Sequence, residues 1–377
     1  MKTKPRVYFT SNVFSELGSN TQISKTIKNE IQILWNRLKS IADVRNFKER
    51  FPSSDQIEKD LKEFNPYIIG CHLSHHITSE MQQISNLFAI ATSTAGYNHI
   101  ERCEEDNILI THTPGVLHET VADYTISLIM ANLRNVVDLH NYVWDGLWTP
   151  KDKWDLDQDL SSAITNKIVG IVGMGEIGIE VVKRLSHWGI KFIYHDIQKK
   201  KDLEKHYPKI EFKENLRDLF KEADIVSLHL PLNKYTENLI DKELLMLMKE
   251  NSLLINTARG GVLNLDDFLN ILESGKAKIN FSFDVYPQEP LNELTIQRFK
   301  KIKDSYPNIR MILMPHNASA DADTRGKMVI LFLKDIIMLL ESSGINDLKN
   351  AHIISEQKEY ISAKKWKIFE FWKLNTK

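Results

Sequence analysis

The stretch Lys167-Ile-Val-Gly-Ile-Val-Gly173-Met-Gly175-Glu-Ile-Gly178-Ile-Glu-Val-Val-Lys-Arg-Leu constrains this chain more than any other. A short apolar run meets three glycines spaced G-x-G-x-x-G, and an amphipathic helical pattern follows at once. That order predicts a strand turning sharply into a helix. Gly173 permits the tight turn, Gly175 lets backbone approach a pyrophosphate, and Gly178 lets helix and strand pack closely; the helix start, including Glu176 and Ile177, offers N–H groups and positive dipole. Eighteen residues past Gly178 the next apolar run ends in Tyr194-His195-Asp196, which brings a carboxylate to the place of an adenosine ribose. Asp196 can accept from a ribose 2′-hydroxyl and would repel a 2′-phosphate, so the pattern favours NAD over NADP. Lys199, Lys200 and Lys201 follow as a charge run, read as a solvated face.

At 377 residues and about 150 residues per domain, the chain should make two domains. Short β-rich runs alternate with helical stretches almost throughout, the rhythm of α/β folds with parallel sheets. In the first half, strands are expected at Arg6 to Thr10, Tyr67 to Leu73, Phe88 to Ser93 and Ile108 to His112, with helices at Ile23 to Leu38 and Ser79 to Leu87. One long helix, Thr120 to Tyr142, should lead into a Trp- and Asp-rich loop, Trp144 to Asp159. A second series from Lys167 to His316 carries six expected strands, enough for a complete dinucleotide fold. The helical segment Arg325 to Leu340 has no further strand to serve and should return to the first domain.

Composition narrows the partners. Lys plus Arg number 49 against 50 Asp plus Glu, a formal charge of -1, so no global basic field exists to hold nucleic acid or an anionic membrane. Only Cys71 and Cys103 occur, which gives no disulfide framework and no paired zinc spacing, and a reducing cytoplasm is expected. No run reaches the roughly 18 apolar residues of a membrane span.

Chemistry gathers at strand ends, where open α/β sheets bind their ligands. Asn256-Thr257-Ala258-Arg259-Gly-Gly, Asp284-Val-Tyr-Pro-Gln-Glu289-Pro and Pro315-His316-Asn317 each follow an expected strand. An Arg, a Glu and a His should thus leave one sheet edge.

These segments, in this order and spacing after Gly173 to Gly178, resemble the D-isomer-specific 2-hydroxyacid dehydrogenases. Thr92-Ser-Thr-Ala95-Gly96-Tyr97 resembles the family's substrate loop, Thr113-Pro114-Gly115 with Thr120-Val-Ala-Asp123 its interdomain entry, and His229-Leu-Pro231-Leu its cofactor loop. The resemblance runs from about Tyr67 to Leu340. It implies two Rossmann-like, doubly wound domains, with the NAD-binding domain (118–316) inserted into a discontinuous substrate-binding domain (1–117 and 317–377). It implies that Arg259 binds the substrate carboxylate and keto oxygen, that His316 is the acid/base, and that Glu289 orients and charges that His. Thr120, Pro231, Thr257, Ala258 and Asp284 would join the cofactor site, and Leu73, Ala95 and Gly96 the substrate site. NAD, a small 2-hydroxy or 2-keto acid, and a homodimer built through the NAD domain complete the implied set. No metal is expected.

Some features depart from the family pattern. Asn264 stands where an acidic residue is common, Asn317 where an apolar one is usual, and the linker before Lys167 is long. Cys71, His72, His75 and His76 crowd one strand end, with Glu80 the single carboxylate nearby; they read as a cleft edge before a metal site. The tail from Glu356 to Lys377 mixes six Lys and three Glu with aromatics, and reads as an extension packed on the body or on a dimer partner. Two alternatives stand beside the dehydrogenase: an NAD-sensing, corepressor-like binding protein, and a phosphoglycerate dehydrogenase differing only in substrate.

Overall fold

The computed structural model describes residues 4–103, 105, 107–152, 155–207, 209–363 and 365–375. Parts of the linker and tail readings, Lys153, Trp154, Lys364, Thr376 and Lys377, lie outside the described residues. The chain divides into two compact units, Met1–Leu117 with Ala320–Lys377, and His118–Ser319.

The first unit is built on five parallel strands: β1 (Arg6–Phe9), β2 (Asp43–Asn46), β3 (Ile68–Cys71), β4 (Ala89–Thr92) and β5 (Leu109–Thr111). Their order is β2-β1-β3-β4-β5, that of a doubly wound sheet whose switch point lies between β1 and β3. Because strand side chains alternate, neighbours in sequence enter opposite cores. Val7, Phe9, Ile68 and Ala89 face one, with Trp35 of the helix Lys25–Ile41 and Phe332 of the helix Ala322–Glu341. Tyr8, Ile69 and Ile90 face the other, with Ile57 and Leu61 of the helix Ser54–Phe64. Trp366, Ile368, Phe371 and Trp372 of the tail are buried in the first of these cores. The tail therefore packs on its own unit.

Seven parallel strands form the second unit: β6 (Ile168–Val172), β7 (Lys191–His195), β8 (Ile210–Phe212), β9 (Ile225–Leu228), β10 (Leu253–Asn256), β11 (Asn280–Phe283) and β12 (Met311–Leu313). Their order is β12-β11-β10-β9-β6-β7-β8, the dinucleotide-binding arrangement with one strand added at the edge. Its switch point falls between β6 and β9, and helices cover both faces.

Several local expectations are corrected. Ser79 to Leu87 forms only a 3-10 turn, Met81–Gln83, because Gln82 spends its side-chain amide on the carbonyls of Thr78 and Glu101. The long helix breaks at Asn135, whose φ of +52° ends His118–Leu133 before Val136–Trp144 begins. β2, β8 and the helix Ser54–Phe64 were not anticipated. Asn264 caps the helix Leu265–Glu273 by accepting from the Asp267 amide, a task an Asp there would also perform. Among the described residues no helix is long and apolar enough to cross a membrane.

Candidate active site

All strands of the second unit are parallel, so their carboxyl ends share one edge, and the residues singled out above in this unit follow β6, β7, β9, β10, β11 and β12 or start the helix His118–Leu133. At the switch point, Gly173 turns with φ of +94°, and a Cβ there would lie 2.6 Å from the His229 carbonyl oxygen. A Cβ on Gly178 would clash with the Gly173 carbonyl oxygen, and its absence lets helix Glu176–Leu185 start so close to its strand. Gly175 is the N-cap, no side chain caps this helix, and a Cβ on Gly175 would meet nothing within 4 Å. Uncapped amides beneath open space suit the pyrophosphate of a dinucleotide.

Asp196 directly follows the adjacent strand, β7. Its Oδ2 accepts the Met174 amide at 2.7 Å and its Oδ1 the Gln198 amide at 3.2 Å, so the carboxylate is fixed beside the glycine turn. Lys200 Nζ lies 3.8 Å from Asp196, and Lys199 pairs with Glu204. Thr120 lies in the first turn of His118–Leu133 and Pro231 in the exposed loop after β9, where its carbonyl accepts from Thr236. These residues fit a bound NAD: helix start, ribose carboxylate and flanking loops lie on one edge.

The turn after β10 is organised by a residue that the sequence reading passed over. Asn256, buried, accepts the Ala258 amide at 3.1 Å and donates to the Arg259 carbonyl at 3.1 Å. Such Asx hooks hold irregular turns, and the Asn-Thr-Ala-Arg spacing carried that signal. Thr257 shares a 2.8 Å hydroxyl contact with Thr125, and Ala258 is buried. Arg259 is half-buried, and burial pushes its guanidinium below the ordinary arginine value while the charge of Glu289 works the other way.

Glu289 and His316 meet. His316 Nδ1 lies 2.6 Å from Glu289 Oε2, with the two side chains 31% and 27% exposed for Glu289 and His316 respectively. Glu289 Oε1 accepts the Tyr286 amide at 2.8 Å. Burial alone would raise the Glu289 pKa, but the His316 hydrogen bond, the Tyr286 amide and the charges of His316 and Arg259 outweigh it, and the carboxyl is held below its usual range. An ionised Glu289 can only accept, so Nδ1–H donates and Nε2 is left to exchange a proton.

Asp284, fully buried, spends both oxygens on backbone: Oδ1 on the Asn317 amide at 2.7 Å and Oδ2 on the Ala318 amide at 2.8 Å. It thereby braces the His316 turn. Tyr124 is a further participant in this neighbourhood that the sequence reading did not anticipate; burial and the nearby Asp284 push its phenol up to about 12.

In the first unit, Leu73 follows β3 and is partly exposed, while Ala95 and Gly96 follow β4 in a half-buried loop. Thr94 Oγ1 donates to the Gly96 carbonyl at 2.6 Å, and the Thr113 amide donates to the Thr94 carbonyl at 3.0 Å. The His72 and His75 rings stand 4.1 Å apart, and burial holds His72 down at about 3, with the charges of His75, His99, Arg325 and Arg50 adding to it. His75 is clamped between the Thr10 hydroxyl at 2.6 Å and the Arg50 carbonyl at 3.1 Å. Among the described residues no group of three His, Cys, Asp or Glu could hold a metal ion.

The family model described as D-isomer specific 2-hydroxyacid dehydrogenase, NAD binding domain, matches residues 126–318. The chain is 34% identical over 326 residues to the glyoxylate reductase of Thermofilum pendens, covering 84% of this chain and 91% of that protein. It is 32% identical to the glyoxylate reductase of Aeropyrum pernix, across 73% of this chain and 79% of that one. The crystal structure of the TT0316 protein from Thermus thermophilus superposes with a TM-score of 0.72 at 29% identity, covering 89% of this chain and 97% of the other.

Proposed function

This chain belongs to the D-isomer-specific 2-hydroxyacid dehydrogenase family, and on that premise we propose that Arg259, Glu289 and His316 carry out the reduction of a small 2-keto acid to its D-2-hydroxy acid and the reverse oxidation. The chain is an NAD-dependent oxidoreductase acting on CH–OH donors. The observation that carries the residue assignment is the 2.6 Å pairing of His316 with Glu289, at the same sheet edge as Arg259.

NAD, when bound, supplies the site that gives or takes a hydride at C2 of the substrate. Gly173 to Gly178, Asp196, Thr120, Pro231, Thr257 and Ala258 are proposed to hold it. The Arg259 fork binds the substrate carboxylate and polarises the keto oxygen. As that oxygen gains electrons, Nε2 of protonated His316 gives it a proton, and in oxidation the same atom takes the proton back. Glu289 stays ionised throughout and stabilises the imidazolium. The backbone amides of Ala95 and Gly96, with Leu73 nearby on the same sheet edge, are proposed to bind the carboxylate and the substrate's small side chain.

Glyoxylate is the first substrate to test, since both relatives named above are glyoxylate reductases. The test is NADH oxidation across glyoxylate, pyruvate, hydroxypyruvate, branched and phosphorylated 2-keto acids, and turnover of the small unbranched members is expected. Silence across the panel with NADH still bound would favour the NAD-sensing alternative.

A homodimer is part of the same proposal. The helix Val136–Trp144 and the segment after it leave Val136, Val143, Trp144, Leu147 and Trp148 exposed, Trp144 by 79% and Trp148 by 63%. A run of large apolar side chains of this kind marks a protein interface. Light scattering on the purified protein should give twice the chain mass, and Trp144→Glu should shift it to monomer. A cytoplasmic setting is proposed on the two free cysteines, one of them buried.

A further inference from the structure

β5 is the edge strand of the first sheet, and its outer side is occupied by the C-terminal segment. Ile353 bridges Thr111 antiparallel, the Ile354 amide donates to the Ile110 carbonyl at 3.0 Å, and the His112 amide donates to the His352 carbonyl at 3.0 Å. Gln357, buried, continues the ladder with its side chain: it accepts the Ile110 amide at 2.8 Å and donates to the Ile108 carbonyl at 2.8 Å. Covering an edge is explanation enough for this much.

The same segment then reaches beyond the edge to the loop carrying Ala95 and Gly96. Tyr97 donates its hydroxyl to the Glu356 carboxylate, at 2.8 Å from Oε1 and 2.7 Å from Oε2. His112, held by the segment through its backbone, donates Nδ1–H to the Ala95 carbonyl at 2.8 Å, and its ring stands edge-on to Tyr97 at 5.5 Å. His352 in turn is anchored by Asp335 at 3.0 Å. The loop is thus fixed on both sides of Gly96: through the Ala95 carbonyl, and through the side chain of Tyr97. Glycine and alanine supply no side-chain anchor of their own. The direction of their amides depends on these two ties together with the Thr113–Thr94 and Thr94–Gly96 hydrogen bonds.

We propose that Glu356, acting through Tyr97, is a positioning residue for the Ala95–Gly96 amides, so that the C-terminal segment sets the affinity for the substrate carboxylate. This rests on the reading that those amides bind the carboxylate. It assigns to the tail a task in substrate binding as well as in packing. In this assignment Glu356 acts on the substrate only through Tyr97, and its removal should leave hydride transfer intact once substrate is bound.

The test uses the full-length enzyme loaded with NADH. Amide hydrogen exchange over 94–98 is followed with and without oxalate, a probe for the carboxylate subsite. In the parent, oxalate should slow exchange at Ala95 and Gly96. In Glu356→Ala, exchange of the free loop should quicken and the KM for the keto acid should rise roughly three- to tenfold, the scale of one hydrogen bond to a charged group, while kcat and NADH affinity hold. Tyr97→Phe should match it, and the double variant should be no worse than either. Glu356→Gln, whose side-chain oxygen can still accept from Tyr97, should recover most of the loss. Failure of oxalate to protect Ala95 and Gly96 in the parent would remove the carboxylate-binding reading and this proposal with it. Protection in the parent together with unchanged KM and exchange in both single variants would overturn the tail's role alone.

Discussion

Asp284 holds the backbone of His316 in a left-handed bend. The His316 amide donates to the Asp284 carbonyl at 2.9 Å, and the two residues after it donate to the Asp284 carboxylate, while His316 itself sits at φ of +56°. A non-glycine residue there costs about 1 kcal/mol or more, so the surrounding bonds must over-determine the turn. Burial pushes the Asp284 carboxyl up, and the Asn317 and Ala318 amides pull it back.

Asp284→Asn tests that brace. Its amide nitrogen would face one of the two N–H donors, and the turn would lose a hydrogen bond where it is most strained. Misplacing the proton donor should lower kcat by roughly 10- to 100-fold, with NADH affinity near the parent value by fluorescence titration. Unchanged kcat would show that Glu289 alone positions His316.

Glu289→Gln keeps the shape of the pair and removes its charge. The carboxylate accepts from Nδ1–H and stabilises the imidazolium, so its loss should lower kcat/KM for keto-acid reduction, seen in steady-state kinetics beside the parent. The stability effect has its own sign. Glu289 is depressed in the folded protein, so its contribution is present above the unfolded carboxyl value of about 4.3 and is lost as pH falls through the folded value. Parent and variant should therefore differ in melting temperature at neutral pH and converge in acid.

Arg259→Lys should raise KM and lower kcat together. Lysine keeps the charge but cannot present two parallel donors to a carboxylate. Removing a preorganised donor to a developing oxyanion costs about 100-fold or more in turnover. Steady-state kinetics with glyoxylate, alongside an NADH titration that stays normal, would locate the loss at the substrate.

Asp196→Ser should narrow the preference for NADH over NADPH. The carboxylate is fixed by the Met174 and Gln198 amides and cannot swing away from a 2′-phosphate, while Lys200 stands ready 3.8 Å from it. The ratio of kcat/KM for the two cofactors measures it, and a parent that already prefers NADPH would refute the assignment.

The glycine turn and the strand-end residues were legible because each depends on its immediate neighbours. A positive φ selects Gly173, and apolar runs mark β6 and β10 as buried strands. β2 escaped because Asp-Val-Arg-Asn has no apolar alternation: it is an edge strand and half exposed. The helix Ser54–Phe64 did carry a signal, the capping box of Ser53 and Gln56 ahead of Ile57, Leu61 and Phe64, which was overlooked. Other features were hidden because their partners are distant in sequence. Asp284 reaches Asn317 and Ala318 across 33 and 34 residues, and Gln357 reaches Ile110 across 247. Only the folded chain brings these together.

Asp335 offers a stability test of the tail's anchorage. It is 1% exposed on the helix Ala322–Glu341, and burial pushes its carboxyl up to about 6, against the opposing pull of His352. A raised folded value means that the native state holds this proton more tightly than the unfolded chain does. Its stabilising contribution is complete below the unfolded value of about 3.9 and is lost as pH rises through about 6. The shift corresponds to about 3 kcal/mol across that window. Asn at this position is uncharged at every pH and can still accept from His352. Thermal unfolding of the parent and of Asp335→Asn between pH 4 and pH 7 should therefore show the variant gaining on the parent as pH rises, most steeply between the unfolded value of about 3.9 and the folded value of about 6. A constant difference between the two curves would mean that Asp335 stays ionised over this range and that its pair with His352 outweighs burial.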